Sequence, residues 1–154
     1  MNIFVLDRDP NKAAEMMCDK HVVKMIIESC QMLSAVFEDD YCGHPKSVFK
    51  HPCTLWLKES TGNILWLLTH HQAMLKEYTR RYGKTHKFND SVEHFLTLLN
   101  TKPVYVQQMT EFANATPYKD VDVVKAYRQY YLTDKAHFAK WKLGNIPEWF
   151  SNAA

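Results

Sequence analysis

The sequence predicts an all-α fold, and three observations carry that prediction. Apolar residues recur at helical rather than strand spacing through most of the chain. Glycine is scarce, 4 in 154 residues, which leaves few of the tight turns that a β-sandwich or barrel needs. Capping residues stand at the edges of the periodic stretches. Met1 to Leu6 is a short apolar run, expected to lie extended on the core. Asp9-Pro10 reads as an N-cap with proline at the first helical position, opening a short helix through Met17. Asp19 is a second candidate cap, followed by Lys20 to Glu38 without glycine or proline. Asp39 to Pro52 is a loop broken by Gly43, Pro45 and Pro52. Helical spacing resumes at Cys53, is interrupted around Thr61-Gly62, and continues to Tyr82, with Gly83 placed as a C-terminal cap. Asp90-Ser91 opens a helix through Leu99, and Pro103 to Pro117 is irregular. A last helix is expected from Tyr118 to Lys142, bent near Thr133-Asp134, with Pro147 closing the pattern.

The composition, 46% hydrophobic and 23% charged, excludes a disordered chain or a fibre and suits one compact helical domain over residues 1–154. Neither GxGxxG nor GxxxxGK[ST] occurs, so a glycine-rich phosphate loop is excluded. A net charge of +2 means that any nucleic-acid site must come from local clustering of cations. No apolar run reaches membrane-spanning length, so no membrane partner is expected. The N-terminus lacks the build of a signal peptide, and Cys18, Cys30, Cys42 and Cys53 therefore read as reduced thiols of a cytoplasmic protein.

Chemistry concentrates on the helix after Asp19. At 100° per residue, His21, Lys24, Glu28 and Gln31 share an arc of about 80°, while nearly every other position is apolar. A surface helix carries a much broader polar face, so this one is expected to be central, with its ionisable strip lining a cleft. The plainer reading is a thin solvent face with a Lys24–Glu28 pair at i,i+4. Basic and aromatic residues interleave in two further places. Arg80, Arg81 and Lys84 gather at the end of the long helix, where cations either complement the macrodipole or meet phosphates. Tyr130, Tyr131 and Trp141 lie in the last predicted helix, where rings at this spacing serve as core or as base-stacking platforms. Cys42, His44, His51 and Cys53 form C-x-H and H-x-C pairs whose internal spacing is too tight for the usual zinc site, and no metal or other cofactor is expected.

The run Asp19-Lys20-His21-Val22-Val23 with Glu28 resembles the bacteriophage endonuclease V type of pyrimidine-dimer DNA glycosylase and its bacterial relatives. In that family an Asp-x-His opens the first long helix and a catalytic glutamate follows nine residues after the aspartate, as Glu28 follows Asp19. His51-Pro52 with Trp56 is similar to the family's His-Pro-x-x-x-Trp, and the C-terminal aromatics match its aromatic tail in character. The resemblance implies an all-α DNA-binding fold in the cytoplasm of a bacterium or a phage-infected cell. It implies that Glu28 assists attack at C1′ of a damaged nucleotide with a base extruded, and that His21 stands beside it. The family's nucleophile is the α-amine of a threonine exposed by removal of methionine. This sequence starts Met1-Asn2, so either the Met1 amine, Lys20, Lys24 or a water serves, or the glycosylase chemistry has been lost. The α-amine, with an ordinary pKa near 8 against about 10.4 for lysine, is the first choice, which makes Glu28, His21 and Met1 the expected catalytic set. Lys24, Gln31, Arg80, Arg81, Lys84, Tyr130, Tyr131 and Trp141 are the expected substrate contacts.

Two functions follow. One is a DNA N-glycosylase, with or without AP-lyase activity, acting on damaged or modified pyrimidines. The other is a pocket on the same scaffold that binds or cleaves a small nucleotide, such as a host immune signal, without repair activity.

Overall fold

A computed structural model describes residues 2–101 and 106–153. They are α-helical with no β-strand among them: α1 (Pro10–Met16), α2 (Asp19–Phe37), α3 (Pro52–Glu59), α4 (Thr61–Tyr82), α5 (Ser91–Thr101), α6 (Val123–Tyr130) and α7 (Glu148–Ser151). One 3-10 turn covers Lys46–Lys50 and one π-type turn covers Tyr131–Lys135. Helix α4 is the spine against which α1, α2 and α3 pack, and α3 also packs on α2.

The local chemistry explains these elements. The Asp9 carboxylate accepts the amides of Asn11 and Lys12 at the start of α1, with Pro10 in the first turn. The cap of α2 is Cys18 rather than Asp19. Asp19 is the first helical residue, and its carboxylate accepts the Lys142 amide at 2.7 Å, tying the helix start to the C-terminal segment. The break foreseen at Thr61-Gly62 is the junction of α3 and α4, where Ser60 caps α4 by accepting the Asn63 amide. Gly62 is required there, because a Cβ would stand 2.7 Å from the Gln107 carbonyl that accepts its own amide. Gly83 ends α4 in the left-handed conformation, φ 68°.

The N-terminal segment Ile3 to Leu6 is buried, and α2 buries residues around most of its circumference, from His21 and Val22 to Phe37. Two expectations are corrected. The last helix is far shorter than Tyr118 to Lys142: Asp122 caps it by accepting the amides of Val124 and Lys125, and the helical path loosens into the π turn at Tyr131. The bend foreseen near Thr133-Asp134 falls inside that turn. The cysteines also divide. Cys30 of α2 is bonded to Cys42 of the following loop, whereas Cys18 and Cys53 are free and buried.

Candidate active site

The polar strip of α2 opens into a cavity of about 250 Å³ lined by Asn2, Phe4, His21, Lys24, Met25, Glu28, His51, Ala115, Tyr130 and Lys135. Three of the four strip residues are there. Gln31, one turn further along, is half-buried and does not line it. The buried N-terminal segment supplies Asn2 and Phe4, the start of α3 supplies His51, and α6 with its π turn supplies Tyr130 and Lys135. Three of these, Asn2, Phe4 and Lys135, carry no motif. Only the extended apolar run and the Tyr-Lys clustering hinted at them. His51 was visible in the His-Pro pair, as part of the resemblance. Met1 lies outside the described residues.

Charge and burial set the two imidazoles of the cavity apart from its other groups. Glu28 is 14% exposed and lies 3.6 Å from the Lys24 ammonium, which is 63% exposed. An exposed partner of this kind screens well and adds little stability. His21 is buried, and its imidazole is pushed down to about 3, first by loss of water and then by the positive charges of Lys135, Lys24 and Lys20. It is therefore neutral near pH 7. Its Nδ1 sits 2.6 Å from the Tyr131 hydroxyl, and the Phe4 ring stacks on its face at 4.2 Å. His51 is likewise held below its usual range by burial, against the pull of Glu28, and its Nδ1 accepts the Cys53 amide at 3.1 Å. Lys135 rests its ammonium over the Tyr130 ring at 4.7 Å. The cavity thus holds one carboxylate, two ammonium groups and two neutral imidazoles. Such a set favours a cationic centre beside Glu28 and anionic oxygens beside the lysines.

Several expected contacts lie elsewhere. Arg81 is wholly buried and cannot reach a phosphate: its guanidinium meets Glu77 at 2.9 Å and Asp19 at 3.0 Å, and donates to the carbonyls of Met17 and Glu15. Arg80 is part-exposed but grips the same Glu77 at 2.7 Å with two donors. Burial would raise the Glu77 carboxyl, yet these bonds outweigh it and hold it below the usual range. Lys84 is exposed past the end of α4 and away from the cavity lining. Tyr131 is fully buried and Trp141 nearly so, its indole donating to the Met16 carbonyl at 3.1 Å, and neither lines the cavity that holds Glu28. Tyr130 alone of the three rings lines the cavity.

The C-x-H and H-x-C pairs do not converge on a metal. Cys42 is bonded to Cys30, the His51 nitrogen is engaged with backbone, and no group of three or more His, Cys, Asp or Glu among the described residues could hold an ion. A larger cavity of about 620 Å³ lies at the start of α2, beside Asp19, between Tyr82 and the C-terminal segment at Trp141, Ile146 and Phe150. Its lining is mostly apolar, with Asp19, Lys140 and Lys142 at its edge, and it holds none of His21, Lys24 and Glu28. No described helix is long and apolar enough to cross a membrane.

No curated protein and no solved structure matches the chain. A family model does match, that of the pyrimidine dimer DNA glycosylases, over residues 1–90. That span covers the buried N-terminal segment, all of α1 to α4, and hence His21, Lys24, Glu28 and His51. It is more than half of the 154 residues. With the carboxylate of the resemblance seated in a polar cavity and the match extending across it, the chain belongs to the pyrimidine dimer DNA glycosylase family.

Proposed function

We propose that the protein is a DNA N-glycosylase acting on damaged or modified pyrimidines, with Glu28 as its catalytic carboxylate. The observation that carries this reading is the place of Glu28: a largely buried carboxylate in a polar cavity, on the helix that the family match spans. An anion there stabilises the oxocarbenium-like C1′ that develops as the glycosidic bond lengthens. The Met1 α-amine is the nucleophile of the proposal. It is one residue upstream of Asn2, which lines the cavity, and it is the amine most readily neutral at pH 7. It attacks C1′, the C1′–N bond breaks, and the base leaves with a proton. The sugar ring opens to a Schiff base, which water releases or β-elimination cleaves. Lys24 at the mouth, with Lys84 past the end of α4, supplies the phosphate contacts, and Tyr130 a ring for stacking.

The test is borohydride trapping on ultraviolet-irradiated and abasic-site duplex DNA, followed by peptide mapping. An adduct on the N-terminal peptide is expected. An adduct on Lys24 or Lys20 overturns the choice of nucleophile, and glycosidic-bond cleavage without adduct means that water attacks.

The small-nucleotide reading has one specific observation in its favour. Arg81 is locked in the core and Arg80 is clamped on Glu77, which removes two expected phosphate contacts from a chain of charge +2. The salt dependence of binding separates the two. Affinity for duplex DNA that falls steeply with salt supports the glycosylase, and no binding at low salt leaves the nucleotide pocket.

A further inference from the structure

Two histidines line the cavity, and in each one Nδ1 is turned away from it into the fold. For His21 the partner is the hydroxyl of Tyr131, a residue with no exposed surface that does not line the cavity. That hydroxyl also accepts the Cys18 amide at 3.3 Å, so its one proton has two possible destinations: His21 Nδ1 at 2.6 Å or Cys18 Sγ at 3.7 Å. An imidazole nitrogen is the better acceptor and much the nearer, whereas sulfur accepts weakly. Nδ1 therefore accepts, and the ring proton is on Nε2. For His51 the partner is the Cys53 amide, which can only donate, so its Nδ1 accepts as well and its proton is again on Nε2.

We propose that His21 and His51 are locked as a pair of neutral Nε2–H donors, by Tyr131 and by the Cys53 amide respectively, and that they position the sugar and phosphate oxygens of a nucleotide over Glu28. The pair hold the substrate and transfer no proton, which leaves Glu28 to do the charge work. The π turn matters here, since Tyr131 opens it and Lys135 closes it, so one irregular turn delivers both the His21 anchor and a cavity cation. Phe4, stacked on the His21 ring at 4.2 Å, fixes the remaining rotation of that imidazole. Tyr131, first read as a base-stacking ring, is thereby a positioning residue. The substrate part of the proposal rests on the glycosylase reading, whereas the tautomer part does not.

Long-range proton–nitrogen NMR of uniformly 15N-labelled protein reads both tautomers directly at pH 7. The expected result is Nε2–H at His21 and His51 in the wild type. In Tyr131→Phe the His21 signals should move toward a tautomer mixture while those of His51 stay. Cys18→Ala, which removes only the weaker acceptor, should leave His21 as it is, and the amide spectrum of Tyr131→Phe shows whether that variant has folded. An Nδ1–H tautomer at His21 in the wild type, with Tyr131 donating to sulfur, overturns the proposal. So does an unchanged His21 in folded Tyr131→Phe. On ultraviolet-irradiated DNA, Tyr131→Phe should lower kcat about 10-fold with KM within about twofold of wild type, the pattern of lost alignment rather than lost affinity. If the tautomers are as stated and wild-type protein leaves DNA untouched, the glycosylase reading fails and the locked donors stand. If the DNA is cut and the tautomers are otherwise, the reverse holds.

Discussion

Phe4 carries a φ of 49°, which places a bulky side chain in the left-handed region at a cost of roughly 1–2 kcal/mol. Its surroundings hold it there. The Asn2 side chain accepts its amide at 3.3 Å, its carbonyl accepts the Leu6 amide at 2.7 Å, and its ring lies between His21 and Tyr130. Strain of this kind tends to persist where a site over-determines the backbone. The consequence is a reversed order of substitution. At an ordinary extended position glycine is less stable than alanine by about 1 kcal/mol, but at Phe4 the glycine variant should be the more stable of the two by about 1 kcal/mol. Urea denaturation of Phe4→Gly and Phe4→Ala checks it, and alanine the more stable would mean that no strain is stored. Nothing in the run Met1 to Leu6 signals this turn in the sequence, because it depends on contacts from α2 and α6 more than a hundred residues apart.

At the scale of elements, α2 was legible and the end of α4 was not. An apolar circumference with one ionisable stripe specifies a central helix with a cleft, and His21, Lys24 and Glu28 follow from the wheel. Arginines at a helix end look alike whether they meet phosphate or a neighbouring carboxylate. The available signal was Glu77, three residues before Arg80 and four before Arg81, the spacing of an intrahelical pair. Arg81 joins α4 to the start of α2 through Asp19 and to α1 through the Glu15 carbonyl. Replacing it with methionine leaves Glu77 and Asp19 short of a buried partner and should cost about 3–5 kcal/mol in urea denaturation. DNA affinity of the folded fraction should not change. Lys84→Ala, by contrast, should leave stability within about 0.5 kcal/mol and weaken DNA binding. An Arg81→Met protein of wild-type stability would contradict the network. The last helix was overextended for a related reason: aromatic residues at helical spacing continue past Tyr131, but Trp141 is spent on the Met16 carbonyl rather than on a helix face.

Across the whole molecule, neutral histidines are built into the core. Burial pushes His70 down to about 4 and His71 to about 3, and His21 stands at about 3 for the reasons given above. Unfolded, each titrates near 6.5. Between the two values the unfolded chain binds more protons than the folded one, so stability rises with pH across that window. It is complete above about 6.5 and is lost as pH falls toward 4, each histidine adding a slope of up to about 1.4 kcal/mol per pH unit. Glu77, held low by its arginines, adds a further loss below its ordinary range. Unfolding free energies measured in urea at intervals from pH 7.5 to 4.5 should fall steadily below 6.5, and a flat profile would contradict the buried neutral state. The all-α class and the stripe were legible in the sequence because periodicity encodes them. The cavity's other walls were not, since they are assembled from the N-terminal run, the start of α3 and the π turn. On the proposed function the chemistry happens at the Glu28 carboxylate, and Glu28→Gln keeps its shape while removing its charge. Glycosidic-bond cleavage in ultraviolet-irradiated duplex DNA, read as abasic sites or strand breaks, should fall at least about 100-fold in Glu28→Gln, with thermal stability and DNA affinity close to wild type; cleavage at the wild-type rate would contradict it.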